Sequence, residues 1–224
     1  MHIFSRYRGV GEVISRYWYA YGGWKEVLVS PYFHLALVIN ILTISQWTGD
    51  NWHSPIINIM PSLLGFSLGG YAILLSFGND QFLERLTKPS KNYLKNKPKD
   101  IFKMDSIYIK VNASFVHFIV LQMIALLLAL IYQSGAFSHL ALDSKNMFLT
   151  YWPDYPAFLD TVKHSYSFTT YLIFIYALLS AISLTFNIFR MAGWFNLIQL
   201  KKHSKSPHYM RDKLLARKSN SQIL

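Results

Sequence analysis

The chain has no cysteine. That excludes a disulfide framework and a thiolate metal site, and redox chemistry leaves the compartment unread. Charge is scarce as well. Charged residues make up 15 % of the chain, against about 25 % in a soluble domain, too few to cover a water-facing surface. Their placement says more. No Asp, Glu, Lys or Arg occurs from Val27 to Gly49, from Asn51 to Asn79, from Val111 to Leu142, or from His164 to Phe189. Each window can supply the roughly 20 residues that cross a bilayer. Catalytic signatures are missing too. There is no GxSxG, HExxH, P-loop or paired-carboxylate motif. Ser138, His139 and Asp143 share a polar stretch, and His53 lies near Asp50. Neither group has the three or four ligands of a metal site, and chance explains the first far better than a triad does. We read the chain as no enzyme, with no cofactor and no metal.

What is present fits an all-α integral membrane protein. Residues 1–30 are not a span. Val10, Val13, Ile14, Tyr17, Trp18 and Tyr21 recur at helical spacing, with Arg6, Arg8, Arg16 and Lys25 around them. That pattern predicts an amphipathic helix, lying either in the headgroup layer or on the protein's own inner side. It lacks the n-region and cleavage site of a signal peptide, so the segment is expected to be retained. Gly22-Gly23 should end it. Ser30-Pro31 should open the first span, with a capping residue followed by a proline suited to a first turn.

The transmembrane domain is expected over residues 31–200. Its spans fall at about 32–47, 56–77, 112–133 and 168–189. The fourth helix can run on to Leu200. Trp47 and Trp52 should mark the far interface, as Trp18 and Tyr21 mark the near one. Between spans two and three lies a polar connection, 80–110, with prolines in its Lys88–Asp100 core. The 135–166 segment reads as an outer loop, its Phe148–Phe158 stretch dense in aromatics and holding two prolines, Pro153 and Pro156. The tail, 201–224, is polar and basic.

Basic residues fix the expected orientation. The N-terminal segment carries four, the 48–55 turn none, the 80–110 connection eight, the 135–166 loop two, and Arg190 onward eight. So 20 of 22 fall on one side of a four-span chain. Lys and Arg mark the cytoplasmic side, which predicts both termini inside and the 135–166 loop in the periplasm of a bacterial inner membrane. The net charge of +11 then belongs to the cytosolic face. Lys95, Lys97, Lys99, Lys201, Lys202 and Lys205 offer a surface for anionic lipid or a partner. No nucleic-acid-binding motif accompanies them.

The second span is rich in small residues. Gly65 and Gly69 have GxxxG spacing, and Ser62 lies one turn earlier on the same side. In lipid such a stripe lets two helices approach closely. The second helix is either a neighbouring span or another copy of the chain, and the sequence leans to the former. Pro61 is expected one turn into that helix. The membrane-embedded polar residues are Asn40, Asn58, His117, Gln122 and Asn187. They either line a wet path in an oligomer or bond neighbouring helices, at about 0.6 kcal/mol each; the second reading is the plainer. No embedded Asp, Glu, Lys or Arg is present to couple an ion or proton.

The segment "PSLLGFSLGGYAILLSFGNDQF", Pro61 to Phe82, resembles a stretch of bacterial membrane proteins that includes transmembrane effectors encoded beside retron reverse transcriptases. The resemblance covers about a tenth of the chain. It implies an inner-membrane effector of anti-phage defence that is silenced by a partner and damages the membrane when released. Two expectations follow. One is a self-associating, membrane-perturbing effector with a cytosolic regulatory partner, protein or nucleoprotein. The alternative is a non-toxic structural or channel subunit of a membrane complex.

Overall fold

The computed structural model describes residues 2–76, 84, 86–88, 106–136 and 154–204, with side chains from Tyr7 to Leu200 within those ranges. Every regular element among the described residues is a helix; those with described bounds are α1 His2–Tyr21, α2 Gly23–Val29, α3 Pro31–Leu42, α4 Ile44–Trp47, α5 Ser54–Ser76, α6 Ile107–Gln133 and α7 Tyr155–Ser204.

The boundaries follow local chemistry. Gly22 and Gly23 both adopt positive φ, 108° and 65°, and the Gly22 N–H donates back to the Trp18 carbonyl at 3.2 Å. Only glycine takes that conformation without strain, and it closes α1 and turns the chain directly into α2. Ser30 is extended, as a residue before proline prefers, and Pro31 occupies the first turn of α3. The Ser30 side chain makes no capping hydrogen bond. The chain bends by 59° between α2 and α3. Ser106 caps α6, its hydroxyl accepting from the Ile109 N–H at 3.3 Å.

Three helices, α5, α6 and α7, are long and apolar enough to cross a membrane, and the bent pair α2–α3 makes a fourth if it counts as one span. That fits a multi-pass membrane protein. The expected first span, 32–47, is broken at Thr43, which separates α3 from α4. Thr43 leaves the helical conformation, at φ −99° and ψ 30°, while its N–H and its hydroxyl both donate to the Ile39 carbonyl, at 2.9 and 2.8 Å. Pro61 lies two turns into α5, not one, because the helix starts at Ser54. It deprives the Ile57 carbonyl of a helical donor.

The largest difference is at α7. The expected loop, 135–166, gives way to helix from Tyr155. Pro156 was a reason to expect a loop, yet it stands in the first turn, where its missing N–H has no intrahelical partner to lose. At 50 residues, α7 is about 75 Å long. That is more than twice the roughly 30 Å hydrocarbon core, so the helix is longer than one span needs. Its charge-free stretch, His164–Phe189, is the part suited to lipid.

Packing centres on α6, which contacts α1, α5 and α7; α7 in turn holds α3 and α4. Phe118, Gln122, Ala125 and Ala129 make a buried stripe at helical spacing on α6. The alanines let α5 and α7 come close. Trp52, Ile56 and Met60 join Ala125, Ala129, Phe174 and Ala177 in one cluster. Leu74, Val111, Phe115, Leu184 and Met191 form a second, nearer the start of α6. Large apolar side chains such as Leu42, Phe66, Ile73, Ile131 and Phe189 stay exposed. In water this would be an aggregation surface; against lipid tails it is the expected outside.

Candidate functional site

Three features qualify: a small-residue face, a set of buried polar groups, and a polar cleft. The face belongs to α5. Ser62, Gly65 and Gly69 are exposed, and a methyl group added at Gly65 or Gly69 would meet nothing within 4 Å. The helices that hold α5 do so from its other side, through Ile56, Met60, Ser67 and Leu74. Phe66, on the open side, is 79 % exposed.

The embedded polar residues have separate fates. Gln122 is fully buried and donates from Nε2 to the Ser67 hydroxyl at 3.0 Å, tying α6 to α5. Asn40, also fully buried, donates from Nδ2 to the Phe168 carbonyl at 3.2 Å, tying α3 to α7. Its backbone carbonyl accepts from Trp47 Nε1 at 2.8 Å. Asn58 stays on the surface and donates to the Ser54 hydroxyl of its own helix. Asn187 accepts from Arg190 at 2.8 Å.

The aromatic markers separate as well. Trp47 is half-buried against Phe168, ring centroids 5.4 Å apart. Trp52 is buried among neighbouring helices, 4.7 Å from the Tyr132 ring. Trp18 and Tyr21 are half-buried against α6.

His117 sits where α1 meets the bundle. The Tyr17 hydroxyl lies 2.6 Å from its Nδ1, and the Tyr21 ring stacks on it with centroids 3.8 Å apart. Burial first, and then the neighbouring Tyr176, push the Tyr17 hydroxyl up to about 12, so it keeps its proton at neutral pH. The Tyr21 and Tyr176 hydroxyls are 3.3 Å apart. His117 is 6 % exposed, and its Nε2 is buried with no hydrogen-bond partner.

The cleft opens beside it. A cavity of about 650 Å³ is lined by Glu26 of α2, Ser30, Lys110 and Ser114 of α6, and Ser183, Asn187 and Arg190 of α7. A narrower space of about 50 Å³ continues inward between Ser114, Ser180, Ser183, Tyr176 and His117. Two stripes therefore face each other. On α6 it is Lys110, Ser114 and His117, at i, i+4 and i+7; on α7 it is Tyr176, Ser180, Ser183, Asn187 and Arg190. Each is one helix face, and each grades from charge to hydroxyl to ring. The sequence reading placed His117 and Asn187 singly and missed the stripes. Scanning the serines at helical spacing together with the flanking Lys110 and Arg190 would have found them.

Lys95, Lys97, Lys99 and Lys205 lie outside the described residues, as do Ser138, His139 and Asp143. Lys201 and Lys202 fall in the last turn of α7. Among the described residues, no three His, Asp or Glu side chains gather closely enough to hold a metal ion. Compared with protein-family models, curated proteins and solved structures, the chain matches none.

Proposed function

We propose that the protein is an inner-membrane effector that self-associates through α5 and perturbs the bilayer, as the toxic arm of an abortive-infection system. The uncovered Ser62–Gly65–Gly69 face carries this reading. It has the spacing of a close helix–helix contact, and no other described part of the chain covers it. A second copy meets that requirement with the same face, as a two-fold interface does. The exposed Val10, Val13 and Ile14 of α1 add an apolar surface suited to lipid, while Tyr17 and Tyr21 hold the helix to α6. Restraint would come from a cytosolic protein or nucleoprotein at the basic segments 80–110 and 201–224.

The test is expression of the chain alone in a bacterium, with membrane potential and dye entry followed by flow cytometry. Wild type is expected to depolarise cells. Gly65→Leu/Gly69→Leu, at equal membrane abundance, is expected to be harmless. Equal toxicity of the two proteins contradicts the proposed face.

The second reading is a quiet structural or channel subunit. It is favoured by Asn40 and Gln122, whose hydrogen bonds run to α7 and α5 of the same chain. It expects normal potential in both strains and a membrane partner that copurifies.

A further inference from the structure

We infer that the cleft between α2, α6 and α7 binds a phosphate-bearing molecule, its phosphate at Lys110 and Arg190 and a hydrogen-bonding group reaching His117. The site does not depend on self-association.

Four observations converge. The cavity, about 650 Å³, falls in the size range of small-molecule sites. Its mouth carries two cations on separate helices, Lys110 and Arg190. Arg190 is held in place, donating to Asn187 Oδ1 at 2.8 Å with its guanidinium 5.3 Å from the Trp194 ring. A planar guanidinium and an ammonium that line one cleft can together receive phosphate oxygens. At the narrow end, His117 Nε2 is buried without a partner. Buried polar atoms are usually satisfied; of the five without a partner among the described residues, His117 Nε2 is the one whose side chain lines this cleft, which makes it the place for a ligand oxygen or hydroxyl.

The cleft's position points to the source. Lys110 directly precedes one charge-free window and Arg190 directly follows another. The mouth therefore lies at the edge of the apolar zone, at the depth of phospholipid headgroups. His117 is seven residues further along α6 than Lys110, about 10 Å deeper. Glu26 at the rim disfavours a polyanion and suits a phosphate that carries an amine. A zwitterionic phospholipid such as phosphatidylethanolamine has this chemistry. A soluble phosphoethanolamine compound shares it.

The experiment uses the full chain in a non-ionic detergent. Native mass spectrometry compares retention of phosphatidylethanolamine with that of a diacylglycerol bearing the same acyl chains. In parallel, glycerophosphoethanolamine is titrated while tryptophan fluorescence is followed, since Trp194 lines the mouth. Phosphatidylethanolamine should be retained over diacylglycerol, and Lys110→Gln/Arg190→Gln should lower retention about tenfold or more as charge-assisted bonds are lost. Ser183→Leu fills the cleft without removing charge and should do the same, which covers the case of a double variant that fails to fold. Displacement of the lipid by glycerophosphoethanolamine assigns the site to the headgroup alone and admits a soluble ligand. Lipid retention without displacement assigns it to the membrane. Equal retention of diacylglycerol, or wild-type retention by a folded variant of either kind, overturns the inference.

Discussion

Helices α5 and α6 look alike as sequences, yet the fold uses them in opposite ways. Both are free of charge through their apolar centres and both are long enough to cross a bilayer. In the most apolar window, 39 % of α6 is buried, against 11 % of α5. Small residues on α6, Ala125 and Ala129, are fully buried between neighbours. On α5 the equivalent small face is bare. Hydropathy selects what enters the membrane, but in lipid it does not rank faces, because the tails are as apolar as leucine. What decides is which small residues already have a helix against them.

Substitutions should sharpen that contrast, and the largest effect is expected for aromatics. Phe115 is 1 % exposed and Phe66 79 %. Phe115→Ala should destabilise the fold by about 3–5 kcal/mol in reversible unfolding from mixed micelles. Phe66→Ala should stay within about 0.5 kcal/mol of wild type. Similar values for the two would break the comparison.

Enlarging small residues comes next. Ala125→Leu overfills a closed site and should cost about 1–3 kcal/mol. Gly69→Leu meets open space and adds a better helix former. Its monomer should be as stable as wild type while its self-association is lost.

Smallest of all is the change of a buried amide. Gln122→Leu keeps the volume and removes one interhelical bond, for which about 0.6 kcal/mol is expected. The Ser67 hydroxyl retains its bond to the Leu63 carbonyl at 2.6 Å, so it is not orphaned. A loss of several kcal/mol would mean that the pair matters more than its geometry suggests.

Local signals in the sequence were legible where one residue type has one physical use. Gly22-Gly23 ended α1, and Pro31 opened α3. Charge-free windows located α5, α6 and the middle of α7. The misses share a cause, since each depended on context. Pro156 signalled a loop but fits a helix start. Thr43 carried no warning of the break between α3 and α4. The cleft was hidden for a different reason. Its stripes are spread over two helices far apart in the chain, and neither polar enough alone to interrupt a span. His117 was visible as an oddity; its partners on α1 were not.

Self-association would set α5 of one copy against α5 of another. The absence of native cysteine makes one experiment decisive. Place a single cysteine at Phe66, beside Gly65 and Gly69, and another as a control at Leu127, on the exposed side of α6. Oxidise native membranes and follow the chain on a non-reducing gel. Phe66→Cys should give a disulfide-linked dimer that disappears when Gly69→Leu is added, while Leu127→Cys stays monomeric. Dimer formation that ignores Gly69→Leu, or monomer at Phe66→Cys under conditions that link Leu127→Cys, would contradict it.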